Sequence, residues 1–286
     1  MAWFGTAMQR VEAHGYADTR LGGVGHAAVG VALGLLAGGA VRQVFCGTPA
    51  TAAAVAMASS GRMLRGTAHT IERHLLAGDL AAARAALPSL VGRDPSGLDE
   101  RGIAAAVVES LAENTVDAVV APAFWALVAG PSGVLVHRAV NTMDAMVGHH
   151  SPRYERYGWA AARLDDAMAW VPARIAAALV ALAARSMPGT NGPRHVLRVV
   201  RRDAPSHPSP NAGVAESAVA GALGVELGGP LRYGERVEER PRLGDGPRPD
   251  AATIARARQL VDRVELLVVA GSGAWWWLGR GRRRVR

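Results

Sequence analysis

Residues 21–41, LGGVGHAAVGVALGLLAGGAV, carry no charge when His26 is neutral, and no other feature constrains the fold as strongly. About twenty apolar residues are enough for a helix to cross a bilayer. In lipid every backbone N–H and C=O must be satisfied internally, so a lone segment of this kind has to be helical. Its Gly and Ala content suits helices that approach backbone to backbone. Four further stretches share the character. Residues 43–61 are expected to return as a second helix. Residues 118–136 are interrupted by Pro122 and by the turn-like GPSG at 130–133. Residues 166–184 are broken by Pro172 and Arg174. Residues 266–279 are short and carry three tryptophans suited to a membrane–water boundary.

Hydrophobic residues make up 50% of the chain but aromatic ones only 5%, so small-residue packing is favoured over a soluble core rich in Phe and Tyr. Strand alternation is convincing nowhere. The expected fold is therefore all-α: a multi-pass helical membrane protein with small-residue helix packing and broken or re-entrant segments. Residues 1–286 are expected to form one integral membrane domain, with 187–250 a Pro- and Gly-rich polar lobe inside it. Residues 62–101 read as helical, with Pro88 ending a run, and periodicity resumes over 251–269. Arginines crowd 62–101 and the tail, and both sections are expected on the cytoplasmic side. The parity of crossings then requires one stretch not to cross fully. Residues 118–136, with their proline and glycines, are the expected re-entrant element.

All 32 basic residues are arginine, against 24 acidic ones. The absence of lysine excludes a lysine-bearing phosphate loop, a Schiff base and a lysine–adenylate intermediate. The arginines are scattered among apolar runs rather than interleaved with aromatics, so nucleic acid is not the expected partner. Cys46 is the single cysteine, which excludes an internal disulfide and a cysteine zinc site; its apolar surroundings predict a buried, inert thiol.

Five polar constellations stand against this apolar background. In ESLAENTVDAVV, Glu109, Glu113 and Asp117 fall four apart, on one helical face, with Asn114 beside them. Like charges so placed repel by about 0.2–0.5 kcal/mol per pair. VGRDPSGLDERG sets Arg93 and Asp94 before a proline-initiated turn, where a solvated ion pair is the plainer reading. RAVNTMDAMVGHH places Asn141 and Asp144 on one face, although Asn141 equally suits a helix cap. YERYGWAAARLDD sets Arg163 beside Asp165 and Asp166. HPSPNAGVAES puts Ser209 and Asn211 among prolines ahead of Glu216. Carboxylates and carboxamides gathered with arginines suit Mg²⁺, which takes few carboxylates and keeps room for substrate phosphates, and the planar guanidinium fork that grips phosphate. The residues alone point to a membrane enzyme or transporter handling a phosphorylated or anionic ligand.

ESLAENTVDAVVAPAFWAL, AVNTMDAMVGHHSPRYERYGWAAARLDD and SPNAGVAESAVAGALGVELGGP, in this order, resemble the CobD/CbiB family of cobalamin-biosynthesis membrane proteins, also called adenosylcobinamide-phosphate synthases. The resemblance runs from AWFG at 2–5 to the apolar C-terminal region. It implies a multi-pass protein of the cell membrane. It also implies an ATP- and Mg²⁺-dependent ligase that attaches aminopropanol, or its O-phosphate, to a corrin propionate of adenosylcobyric acid. On that reading Glu109, Glu113, Asp117, Asp165 and Asp166 are catalytic, and Glu113, Asp117, Asp144 and Asp166 hold the metal. Arg93, Asp94, Asn114, Asn141, Arg163, Ser209, Asn211 and Glu216 bind substrate. The alternative is a non-catalytic membrane partner or transporter of corrinoid intermediates, working with other enzymes of the pathway. Members usually carry an additional N-terminal apolar helix ending in Gly-Asp-Pro and His-Pro before the AWFG-like segment. Here Met1 directly precedes Ala2, so that helix is expected either to be absent or to lie upstream of a late-assigned start.

Overall fold

A computed structural model describes residues 2–59, 61–92, 94–233 and 236–283. In chain order its elements are α1 (Ala2–Gly15), α2 (Arg20–Val44), α3 (Thr48–Ala58), α4 (Gly61–Leu76), α5 (Leu80–Ala86), α6 (Glu100–Thr115), α7 (Ala121–Val147), α8 (Trp159–Ala184), α9 (Pro193–Asp203), α10 (Ala212–Leu223), strands β1 (Leu227–Tyr233) and β2 (Arg236–Leu243), and α11 (Ala251–Arg283). The chain divides into two compact units: Met1–Ser59 with Ala121–Pro172, and Ser60–Val120 with Ala173–Arg286.

The first unit is built on α2 against α7. Thr19 starts α2, its hydroxyl accepting from the Gly22 N–H at 3.0 Å. Gly30, Gly34 and Gly38 then recur once per turn along the buried face. A methyl group on Gly34 would come within 2.9 Å of the Val136 Cα, and one on Gly38 within 2.4 Å of the Ser132 Cα. Backbone cannot yield as a side chain can, so these positions admit only glycine at this separation. The opposite face of α2, with Leu21, Val24, Val29, Leu35 and Leu36, lies open, as a face in contact with lipid would. α3 lays Ala50, Ala54 and Ala58 inward and packs on α7. α1 adds Phe4 and Met8 to a cluster with Val140, Met143, Val147 and Tyr157.

The second unit is organised around α6, buried at every position from Ile103 to Ala112, Glu109 and Ser110 included. α4 and α11 pack on it and are fastened to each other by Arg65 to Asp262 (3.1 Å) and Glu265, and by Arg258 to Glu72 (2.7 Å). α9 lays Val196 and Val199 on Gly221 of α10. The two strands pair antiparallel from Leu227↔Leu243 to Tyr233↔Arg236, with a bulge between Leu227 and Gly229.

The all-helical expectation holds, and among the described residues three helical stretches are long and apolar enough to cross a membrane: Arg20–Val44, Glu100–Val147 and Trp159–Ala184. Other expectations are corrected. Residues 43–61 yield only the 11-residue α3, about 17 Å long against a hydrocarbon core of about 30 Å. Residues 266–279, expected to be short, lie within α11 and cover about 21 Å. The region read as strandless contains the β1–β2 hairpin, whose strands LGGPLRY and RVEERPRL show no sustained apolar alternation. Cys46 is exposed, because it falls in the link between α2 and α3 rather than in a helix. The break expected in 118–136 lies at Gly130 (φ 60, ψ −151), directly before Pro131. Pro122 makes no break. Its missing N–H falls in the first turn of α7, immediately after a π-helical stretch, Val116–Val120, where the hydrogen-bond ladder already changes register.

Candidate functional site

Two polar clusters contain most of the predicted site residues, one in each unit. In the second unit Asp99 caps α6, accepting from the Gly102 N–H at 2.7 Å. Glu109 and Glu113 follow on one face, and Glu216 of α10 meets them there. Glu109 is buried and accepts a 2.8 Å bond from the Gly228 backbone N–H in β1. Gly228 sits at φ +76 in the bulge, and a Cβ there would meet the Pro241 carbonyl at 2.0 Å. The left-handed turn that directs this N–H at Glu109 therefore requires glycine.

Glu216 is only 5% exposed. Burial first, and then the charges of Glu113 and Glu109, push its carboxyl well above the usual glutamate range, while Arg240 acts in the opposite direction. It hydrogen-bonds Glu113, which is exposed at the edge of the cluster, an arrangement that favours one proton held between the two carboxyl groups. Beside them the buried His207 places Nε2 at 3.8 Å from the Glu216 carboxylate and 3.0 Å from Arg240. A guanidinium can only donate. Nε2 therefore accepts from Arg240, and Nδ1 lies against the Ser209 backbone, 3.0 Å from its N–H and 3.1 Å from its carbonyl. Gly213 makes room for this ring: a Cβ at that position would lie 2.5 Å from the His207 Cβ. Asn211 is also buried, and its side-chain oxygen accepts from Arg174 at 2.8 Å.

The first unit holds an aspartate cluster. Asn141 links α7 to α8, accepting from Arg138 at 2.9 Å and donating to Asp165 at 3.5 Å. The carboxylates of Asp144 and Asp166 are close enough to repel one another. Arg163 stands 4.0 Å from Asp166 and is largely exposed. Asp144, Asp165 and Asp166 are all partly open.

The remaining predicted residues fall elsewhere or serve local structure. Arg93 lies outside the described residues. Asp94 closes its own turn, accepting from the Ser96 N–H (2.9 Å) and hydroxyl (3.0 Å). Asn114 donates to the Ser110 carbonyl one turn back, at 2.9 Å. Ser209 accepts from the backbone N–H groups of Asn211 and Ala212 at the start of α10. Asp117 is half-buried in the π turn, so it does not continue the α-helical spacing of Glu109 and Glu113. The sequence reading assigns no site role to His207, Arg174, Arg240 or Gly228. The HPSP turn was a signal for His207; Arg240 and Gly228 needed the hairpin, which no pattern announces.

Among the described residues no three His, Cys, Asp or Glu side chains are placed to hold a metal ion by themselves. The donor chemistry of Asp144 and Asp166, with Asn141 and Asp165 adjoining, nevertheless fits Mg²⁺, which takes one or two carboxylates and completes its shell with water and phosphate oxygens. Glu113 fits less well, since its carboxylate is engaged with the proton of Glu216.

Residues 1–261 match the family model described as CobD/Cbib protein. The chain is 48% identical over 262 residues to the Cobalamin biosynthesis protein CobD of Mycobacterium tuberculosis (strain H37Rv), covering 90% of this chain and 82% of that one. It is 46% identical over 210 residues to the protein of the same name from Rhodobacter capsulatus, covering 72% and 65%. The corresponding protein of Stutzerimonas stutzeri is 44% identical over 222 residues, covering 78% and 67%. No solved structure matches the chain.

Proposed function

From the premise that the chain belongs to the CobD/CbiB family and takes part in cobalamin biosynthesis, we propose that it is a multi-pass enzyme of the cell membrane that forms an amide. It joins aminopropanol, or its O-phosphate, to a propionate of adenosylcobyric acid and so produces adenosylcobinamide or its phosphate. The observation that carries this reading is the hydrogen-bonded meeting of Glu113 with the buried Glu216, with Glu109 on the same face.

An amine at neutral pH arrives as an ammonium ion and must lose a proton before it can attack. The Glu113–Glu216 pair bears one negative charge at the edge of an apolar helix, where it attracts that cation and accepts its proton. Glu109, neutralised in part by the Gly228 N–H, keeps the local charge negative without filling the acceptor position. His207 and Arg240 hold the buried side of the pair in place. Arg174 orients Asn211, a carboxamide of the kind that pairs with the carboxamides of a corrin ring.

ATP with Mg²⁺, when bound, would supply the activation of the propionate that turns its oxygen into a leaving group. Asp144 and Asp166 would hold the metal, and Arg163 would meet phosphate oxygens. Other enzymes of the pathway are the natural suppliers and consumers of so large a corrinoid.

The test is incubation of the purified protein with adenosylcobyric acid, aminopropanol or its phosphate, and Mg-ATP, followed by mass analysis of the corrinoid. A mass increase equal to the amine minus water is expected, with ADP formed in equal amount. Corrinoid binding without any product would replace this reading with that of a non-catalytic partner.

A further inference from the structure

The outer face of α9 serves none of the functions assigned above. The helix reads PRHVLRVVRRD, and its inner side is fixed by Val196, Val199 and Asp203, all buried. Arg194, Leu197, Arg198, Arg201 and Arg202 line a groove of about 650 Å³ on the other side. Arg202 is committed to Asp203 (2.5 Å) and Asp245 (2.6 Å). Arg194, Arg198 and Arg201 are exposed, and they form no hydrogen bond or ion pair with any described residue. Three cations thus stand in a row at helical positions i, i+4 and i+7, with Leu197, 40% exposed, between them.

We infer that this face binds the phosphate groups of anionic phospholipids at the membrane surface. Charge complementarity selects an anion, and a guanidinium fork selects phosphate oxygens. Position then selects lipid. The apolar stretch Trp159–Ala184 ends only a short link, residues 185–192, before α9 begins. A basic segment beside the end of a membrane helix is where anionic headgroups are met. The row extends about 10 Å along the helix axis, more than one phosphate can bridge but suited to neighbouring headgroups. Leu197 supplies an apolar contact at the headgroup–acyl boundary, where arginines and a leucine on one helix face are at home.

The inference is independent of the amide-forming reading, because its test uses no corrinoid. The full chain in detergent is titrated with phosphatidylglycerol, with phosphatidylcholine and with inorganic pyrophosphate, and bound ligand is counted by native mass spectrometry. Wild-type protein is expected to retain phosphatidylglycerol in preference to phosphatidylcholine. Each arginine beside an anionic surface is worth about fivefold, so R194Q/R198Q/R201Q should weaken phosphatidylglycerol retention by roughly a hundredfold at low salt. The corresponding triple lysine variant, which keeps the charge, should retain most of it. The single variant R198Q, expected to lose about fivefold, carries the test if the triple variant does not fold. Equal retention by wild type and R194Q/R198Q/R201Q overturns the inference. So does pyrophosphate that displaces the lipid from wild type and fails to bind the glutamine variant, which would assign the face to a soluble phosphate ligand.

Discussion

The two polar clusters use the same chemical groups and treat them in opposite ways. In the second unit Glu109 and Glu216 are buried, and each has its charge dealt with, one by a backbone N–H and the other by a retained proton. In the first unit Asp144, Asp165 and Asp166 remain partly open, with two carboxylates repelling and an exposed arginine nearby. A buried carboxylate costs several kcal/mol unless it is paired, hydrogen-bonded or neutralised. The glutamates are therefore part of what holds the second unit together. The aspartates, less enclosed, carry less of that duty, which suits the metal-holding role proposed for them.

The comparison would be broken most decisively by Glu113→Gln. It removes the acceptor of the shared proton and should lower product formation by about 10²–10⁴-fold, measured as corrinoid amide formed per minute. The variant should still purify as a folded membrane protein, since Glu113 is exposed. Asp166→Asn should also reduce turnover by at least about tenfold, with the loss partly relieved by raising Mg²⁺ and with no fall in melting temperature. A melting temperature that drops as much as activity would mean the aspartates are structural too, and the contrast would collapse.

Glu109→Ala should act chiefly on stability, orphaning the buried Gly228 N–H at a cost of about 1–3 kcal/mol. It is to be read as the shift in thermal unfolding in detergent. The pH dependence of Glu216 sharpens the same point. Its carboxyl is raised in the folded protein, so the native state holds a proton that the unfolded chain releases. That contribution to stability is fully present below the ordinary glutamate value and is lost as pH rises through the raised one. Glu216→Gln keeps a hydrogen-bonding side chain without titrating, so its melting temperature should gain on wild type as the buffer moves from about pH 5 to about pH 9. A constant difference would show that Glu216 is ionised in the native state. The smallest effect belongs to Asp94→Ala, which opens a surface turn and should cost no more than about 1 kcal/mol, with turnover unchanged.

What the sequence disclosed follows from periodicity. Uncharged runs and helical spacing are local properties, so α2, the acidic face of α6 and the Asn141–Asp144 face could be read directly, whereas α8 runs unbroken through Pro172 and Arg174, where a break was expected. Glu216 was also legible, as a carboxylate on a small-residue helix. Its partners were not, because the pairing with Glu109 and Glu113 joins residues over a hundred positions apart. The hairpin was hidden because its strands are held by backbone pairing and a bulge at Gly228, which need no alternation of side chains. Pro122 misled for a related reason: a proline disrupts a regular ladder, but here the ladder widens just ahead of it.

The glycine row of α2 has a mechanical consequence. With Gly34 and Gly38 pressed on the backbone of α7, and one glycine per turn, the two rods are indexed like a rack and its pawl. Any slide that restores the fit must come in whole four-residue steps of about 6 Å, and smaller shifts drive backbone into backbone. Motion in this half of the protein is thereby confined to the helix ends and to the break at Gly130, and Asp144, carried on α7, keeps a fixed height along α2 through every cycle of work.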